Sequence, residues 1–218
     1  MKQGLLIALT LALFIQPAFS QKLRTIYLHS GMTVSALNTK GVAPEGYPKA
    51  ALGHSIGVGA EWFGNTQWNF VSNLDYSTFG GRGVYIMTDI SGAAIGSMQS
   101  RFDFHDLSVG GIFAYKRPQL NYVPKAFAGP RVDFLVTSSR GGMAGINFGI
   151  DAGVGVSKHI NNSVDLSLNL VYHQLFVRKV NAYYAGQLYN GGDYYVTPKY
   201  FFTLRFAFSF YFDAMDAV

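Results

Sequence analysis

Gly53-His54-Ser55-Ile56-Gly57 has the spacing of a G-x-S-x-G nucleophile elbow, in which a serine hydroxyl attacks an ester or amide carbonyl. That chemistry needs a strand turning sharply into a helix, so that the hydroxyl stands clear of the backbone. Here the pentapeptide sits inside an alternating run whose apolar side continues through Ile56 and Val58. On that parity His54 and Ser55 point to opposite sides of one strand and cannot act as a pair. Asp165, Ser167 and His173 do share a strand face, as the acid, nucleophile and base of a deacylase would. They are spread along about 27 Å of chain at roughly 3.4 Å per residue. The five histidines, His29, His54, His105, His159 and His173, show neither the i, i+2 nor the i, i+4 spacing of a metal pair. The chain has no Cys, which removes thiolate metal sites, Cys nucleophiles and disulfide frameworks. No catalytic residue, metal site or cofactor is expected.

The elements that carry these residues are strands. From Phe202 to Phe212 every second residue is large and apolar (Phe202, Leu204, Phe206, Phe208, Phe210, Phe212), while Thr203, Arg205, Ala207, Ser209 and Tyr211 fill the other face. A period of two with one greasy and one polar face is a β-strand, and such a face in water is an aggregation hazard. A bilayer solvates it, and about 9–11 residues suffice for a tilted transmembrane strand. Seven more segments alternate in the same way: about 25–36, 51–63, 67–78, 105–115, 125–136, 145–157 and 163–176. The connections alternate between short and long, as in outer-membrane barrels with short periplasmic turns and longer outer loops. The expected fold is all-β, an eight-stranded antiparallel up-and-down transmembrane β-barrel.

Composition fits. Aromatics make up 16% and charged residues only 13%, where about 25% charged is usual for a soluble domain. The first twenty residues read as a signal peptide: Lys2, an apolar run from Leu5 to Ile15, and Ala18-Phe19-Ser20 before Gln21. Residues 21–218 then form one barrel domain, exported to the outer membrane. The small basic excess is scattered and argues against nucleic acid.

A soluble lipocalin-like cup has the same period with its faces reversed. Two features oppose it. Glu61, Asp75, Arg131, Asp133, Asp151, Asp165 and Arg205 all fall on the polar face, a poor lining for a greasy ligand. The apolar face ends in aromatics such as Trp62, Trp68, Tyr76, Tyr115, Tyr172 and Phe212, as membrane-interface girdles do. An eight-stranded barrel is filled by its own side chains. The seven inward charges are therefore expected to pair, with Arg131 and Arg205 taking carboxylates from the other five, and the barrel is not expected to act as a general pore. Outside, Tyr183, Tyr184, Tyr189, Tyr194 and Tyr195 crowd the last loop around Gly191-Gly192, a composition suited to protein or glycan contact. The 79–104 loop, with Val84, Tyr85, Ile86 and Met87, reads as a hairpin extending the third and fourth strands.

Several segments also resemble the PorT-like outer-membrane β-barrel proteins of Bacteroidota. "HSGMTVSALNT", "HSIGVGAEWF", "WNFVSNLDYSTFGGRG", "HDLSVGGIFAYK", "KAFAGPRVDFLV" and "NFGIDAGVGVSKHI" follow in that family's order. Ser108 and Gly110 stand where the family usually has Glu and Pro, and Asp213 to Val218 extend past the terminal aromatic. The resemblance implies fold and location rather than an activity. The function expected is a non-enzymatic, monomeric scaffold in outer-membrane lipid that contacts an envelope or secretion-system protein. A lipid-modifying enzyme, of lipid A deacylase or acyltransferase type, is the alternative.

Overall fold

In the computed structural model the described residues are 23–40, 49–64, 67–117, 121–138, 145–161, 163–176, 178–180, 183–184, 187–188 and 194–212. The expected signal peptide, Tyr189 and the Asp213–Val218 tail lie outside them. Eight long strands are present among the described residues: β1 (Thr25–Lys40), β2 (Lys49–Gly64), β3 (Trp68–Thr88), β4 (Ala94–Lys116), β5 (Tyr122–Ser138), β6 (Ile146–Asn161), β7 (Val164–Leu175) and β8 (Tyr194–Tyr211). Each pairs antiparallel with the next, and β8 returns to β1 over Thr25↔Tyr211 through Lys40↔Tyr195. The sheet is closed, so no strand edge is left open along the barrel wall.

The faces are those the alternation requires. Phe206 is 55% exposed on the outside, while its neighbours Arg205 and Ala207 are buried inside. Leu28, Met32, Ile56, Leu74, Phe113, Phe148, Val154 and Leu168 continue the outer apolar surface around the barrel. The ten steps from Phe202 to Phe212, at about 3.4 Å each and tilted by roughly 40°, give a belt about 26 Å tall, the height of a hydrocarbon layer. Aromatics rim it. At the turn end the Trp68 and Tyr115 rings lie 5.0 Å apart. At the loop end the Tyr76 hydroxyl meets His105 Nδ1 at 2.7 Å, and the Tyr172 hydroxyl donates to Gln174 Oε1 at 2.6 Å. A soluble cup would show the opposite polarity.

Several strands run further than the alternation suggests. The 79–104 segment is mostly strand: β3 and β4 pair from Phe79↔Phe104 out to Met87↔Gly96. At the tip Gly92 takes φ +85°, a left-handed conformation only glycine adopts freely. The Asp89 carboxylate accepts from Ser91 N at 2.8 Å, Ser91 Oγ at 2.6 Å and Ala93 N at 2.9 Å. These bonds, the Ser91 hydroxyl first and then the Ala93 amide, hold the Asp89 carboxyl below the usual carboxylate range. The depressed value means the turn's extra order is present above the ordinary Asp range and is lost only as pH falls through the lowered one. Amide resonances of Ser91 and Ala93, followed down a pH titration, are expected to stay fixed through the ordinary Asp range and to move together below it.

The last loop is corrected too. Tyr194 and Tyr195 are not loop residues: they open β8, opposite Val180 and Lys179 of the short strand Arg178–Val180. The physical reason is a bulge. Ala36 pairs with Tyr200 and Leu37 with Pro198, so Lys199 is an extra residue on β8 that breaks the alternation. Tyr183–Tyr184 pairs with Gln187–Leu188 in a separate two-stranded piece.

Candidate functional site

The barrel interior is built in three layers. Nearest the loops it is apolar, contrary to an interior lined with polar groups throughout. Leu37, Phe79, Phe102, Phe104, Leu135, Leu175 and Phe201 form one buried cluster. Phe79 stacks on Phe104 at 5.2 Å and on Phe201 at 4.8 Å, and Phe102 meets Phe104 at 4.7 Å. Three of its seven residues, Phe79, Phe102 and Phe104, come from the hairpin that extends β3 and β4.

Below it lies the charged layer. Arg131, 2% exposed, directs Nε to Asp133 Oδ1 at 2.9 Å, Nη1 to Asp151 Oδ1 at 3.1 Å and Nη2 to Ser108 Oγ at 2.9 Å. Its Nη2 also reaches Asp133, making that pair bidentate. His173 bridges onward, with Nδ1 2.6 Å from Asp151 Oδ1 and Nε2 2.8 Å from Thr203 Oγ1. The Phe201 ring lies 4.3 Å from His173 and 5.9 Å from the Arg131 guanidinium carbon, closing this layer from above. Across the lumen Arg205 Nη2 stands 3.5 Å from Asp75 Oδ2, and His29 Nε2 stands 2.6 Å from Asp75 Oδ1. Gly57 makes room for this pair, since a β-carbon there would sit 2.3 Å from Asp75 Oδ1.

The seven inward charges thus divide. Asp133 and Asp151 go to Arg131, and Asp75 to Arg205. Glu61 and Asp165 meet neither arginine: Glu61 pairs with Lys116, while Asp165 takes His159 Nδ1 at 2.5 Å and the Tyr211 hydroxyl at 2.6 Å. Lys116 lies one residue beyond the fourth alternating run, about 105–115, and so is absent from the inward charges expected from the sequence. The inward series Asp106, Ser108, Gly110, Ile112, Ala114 continues straight to it.

The third layer is a cavity of about 80 Å³ toward the turn end. Tyr27, Glu61, Lys116, Lys125, Asp165 and Tyr211 line it, with an apolar wall of Val71, Ile112, Ala114 and Phe127.

Thr203, His173 and Asp151 have the connectivity of a hydroxyl, a base and an orienting acid. Thr203 is 0% exposed and His173 1%, with the phenylalanine layer above them. Arg131 Nη1 also lies 2.5 Å from His173 Nδ1, the ring nitrogen that faces Asp151 rather than the Thr203 hydroxyl. The sequence-level candidates come apart: Ser167 bonds Ser157 Oγ at 2.8 Å, and His54 is exposed on the outer face while Ser55 is buried. Among the described residues no group of three or more His, Cys, Asp or Glu could hold a metal.

No protein-family model and no curated protein sequence matches the chain. Solved structures do. The outer membrane protein OprG from Pseudomonas aeruginosa is 10% identical, over 87% of this chain and 97% of that one, with a TM-score of 0.53. Neisserial surface protein A is 17% identical over 86% and 97%, with a TM-score of 0.48. A major outer membrane protein from Thermus thermophilus is 13% identical over 85% and 99%, with a TM-score of 0.44. At these identities the likeness to OprG is one of fold: a closed antiparallel barrel.

Proposed function

We propose that this chain is an outer-membrane β-barrel acting as a non-enzymatic, monomeric scaffold, whose segments beyond the loop-end rim contact another envelope protein. One observation carries the reading: a barrel with an apolar belt outside and a lumen closed by its own side chains. Such a body suits anchorage in lipid and suits neither conduction nor catalysis. The β3–β4 hairpin gives the scaffold something to present. Beyond Thr78 it runs on by about ten residues, roughly 34 Å of strand. Its tip is held by the Asp89 bonds, with Ile90, Ile95 and Met98 exposed around it. Exposed apolar side chains on a rigid ribbon are the composition of a contact surface rather than of a solvated loop.

The resemblance to PorT-like proteins of Bacteroidota supports a partner in envelope or secretion machinery, and the signal-peptide pattern of residues 1–20 supports export. The test is a photo-crosslinking residue placed at Ile90 in intact cells. A discrete, reproducible protein adduct is expected, lost when Ile95 and Met98 become Ser. Absence of any adduct, together with lipid or ester hydrolysis abolished by Thr203→Val, would reverse the reading in favour of an enzyme.

A further inference from the structure

We infer that the turn-end cavity of the lumen is a binding site for a small oxyanion, with Lys125 as its principal cation. The register sets up the charge. Lys116 and Lys125 stand directly opposite each other across β4 and β5, and both line the cavity. Like charges at facing positions repel, and such a pair persists where negative charge lies between or beside it. Glu61 supplies that for Lys116. Lys125 has no hydrogen-bond or salt-bridge partner among the described residues. Asp165, the other carboxylate on the wall, is already engaged by His159 and the Tyr211 hydroxyl.

The remaining polar atoms point the same way. Arg205 Nε and Asn73 Nδ2, both N–H donors, are buried without a hydrogen-bond partner among the described residues, and both residues line this cavity. The unpartnered acceptors on the wall are Asn169 Oδ1 and His29 Nδ1, the His29 Nε2 being turned to Asp75. An ammonium that makes no hydrogen bond, with two further unpartnered N–H donors on the same wall, suits a group that only accepts. Its volume would hold two or three waters at about 30 Å³ each, or one small oxyanion. Entry is from the turn end, where Lys116, Lys125, Ser209 and Tyr211 are half-buried rather than closed off.

The probe is inorganic phosphate, titrated by calorimetry into the full-length barrel refolded in a neutral detergent at low ionic strength. Saturable one-site binding is expected. Lys125→Met should weaken it by about tenfold or more, the loss typical of a charge-assisted hydrogen bond, and Lys125→Arg should retain it. Heat-modifiable migration on a gel reports whether each variant is folded, and Lys125→Gln replaces the Met variant if that one is not. Absence of saturable binding by the wild-type barrel, or equal binding by a folded Lys125→Met or Lys125→Gln barrel, would overturn the assignment.

Discussion

Replacing Arg131 by Met is expected to lower the unfolding free energy by about 3–5 kcal/mol, the cost of leaving buried carboxylates without their partner. Asp133 and Asp151 would both remain in the lumen, 0% and 3% exposed. Urea-induced unfolding in phospholipid vesicles, followed by the fluorescence of Trp62 and Trp68, measures the difference. The cause is separable from simple loss of bulk. Arg131→Met combined with Asp133→Asn and Asp151→Asn removes the charges together and should recover most of the loss, because a network replaced whole leaves no orphaned charge. If the single variant unfolds like the wild type, the charged layer is not what holds the lumen together.

Phe201→Ala should cost a similar amount, about 3–5 kcal/mol, for a different reason: a large buried ring is deleted and the closed wall cannot collapse to fill the space. Phe201 is 0% exposed and touches both layers, stacking on Phe79 and lying against His173. Phe201→Leu keeps most of the volume and should lose less. The two arms distinguish packing from charge, since salt should leave the Phe201 loss unchanged. Equal stability of Phe201→Ala and wild type would mean that the apolar layer carries no weight.

The strand count and the two faces were legible because a closed wall in contact with lipid imposes one period everywhere: the residues from Phe202 to Phe212 alternate without a fault. Where the wall leaves the belt, that demand ends and the signal fades. Phe79, Phe102 and Phe104 are inward and apolar in a stretch where outward residues are polar, such as Arg101, Asp103 and His105. The period of two survives there with its polarity reversed, so a search for apolar-out alternation stops at Thr78. The bulge at Lys199 hid the start of β8 in the same way.

For the lumen, parity was readable and pairing was not. Arg131 and Asp133 sit two apart on one strand, so their shared face is visible in the sequence. Arg131 meeting Asp151 depends on the register of β5 against β6, which places Gly129 opposite Asp151 and Arg131 opposite Gly149. Nothing local encodes that offset. The same holds for Glu61, which a cross-lumen contact gives to Lys116 rather than to an arginine. Of the five tyrosines singled out in the last loop, Tyr194 and Tyr195 belong to β8, Tyr183 and Tyr184 to the separate two-stranded piece, and Tyr189 lies outside the described residues.

The account depends most on which way the two faces look. The chain contains no Cys, so single Cys substitutions label uniquely. Nitroxides at Phe206→Cys, Phe208→Cys and Ser209→Cys, in the barrel reconstituted into vesicles, report their solvent through relaxation by oxygen, which concentrates in hydrocarbon, and by a water-soluble nickel chelate. Positions 206 and 208 should respond to oxygen and ignore the chelate, with 209 showing the reverse preference. Chelate-accessible labels at 206 and 208 would mean that water rather than lipid bathes the phenylalanine face, and the barrel would not be a membrane protein.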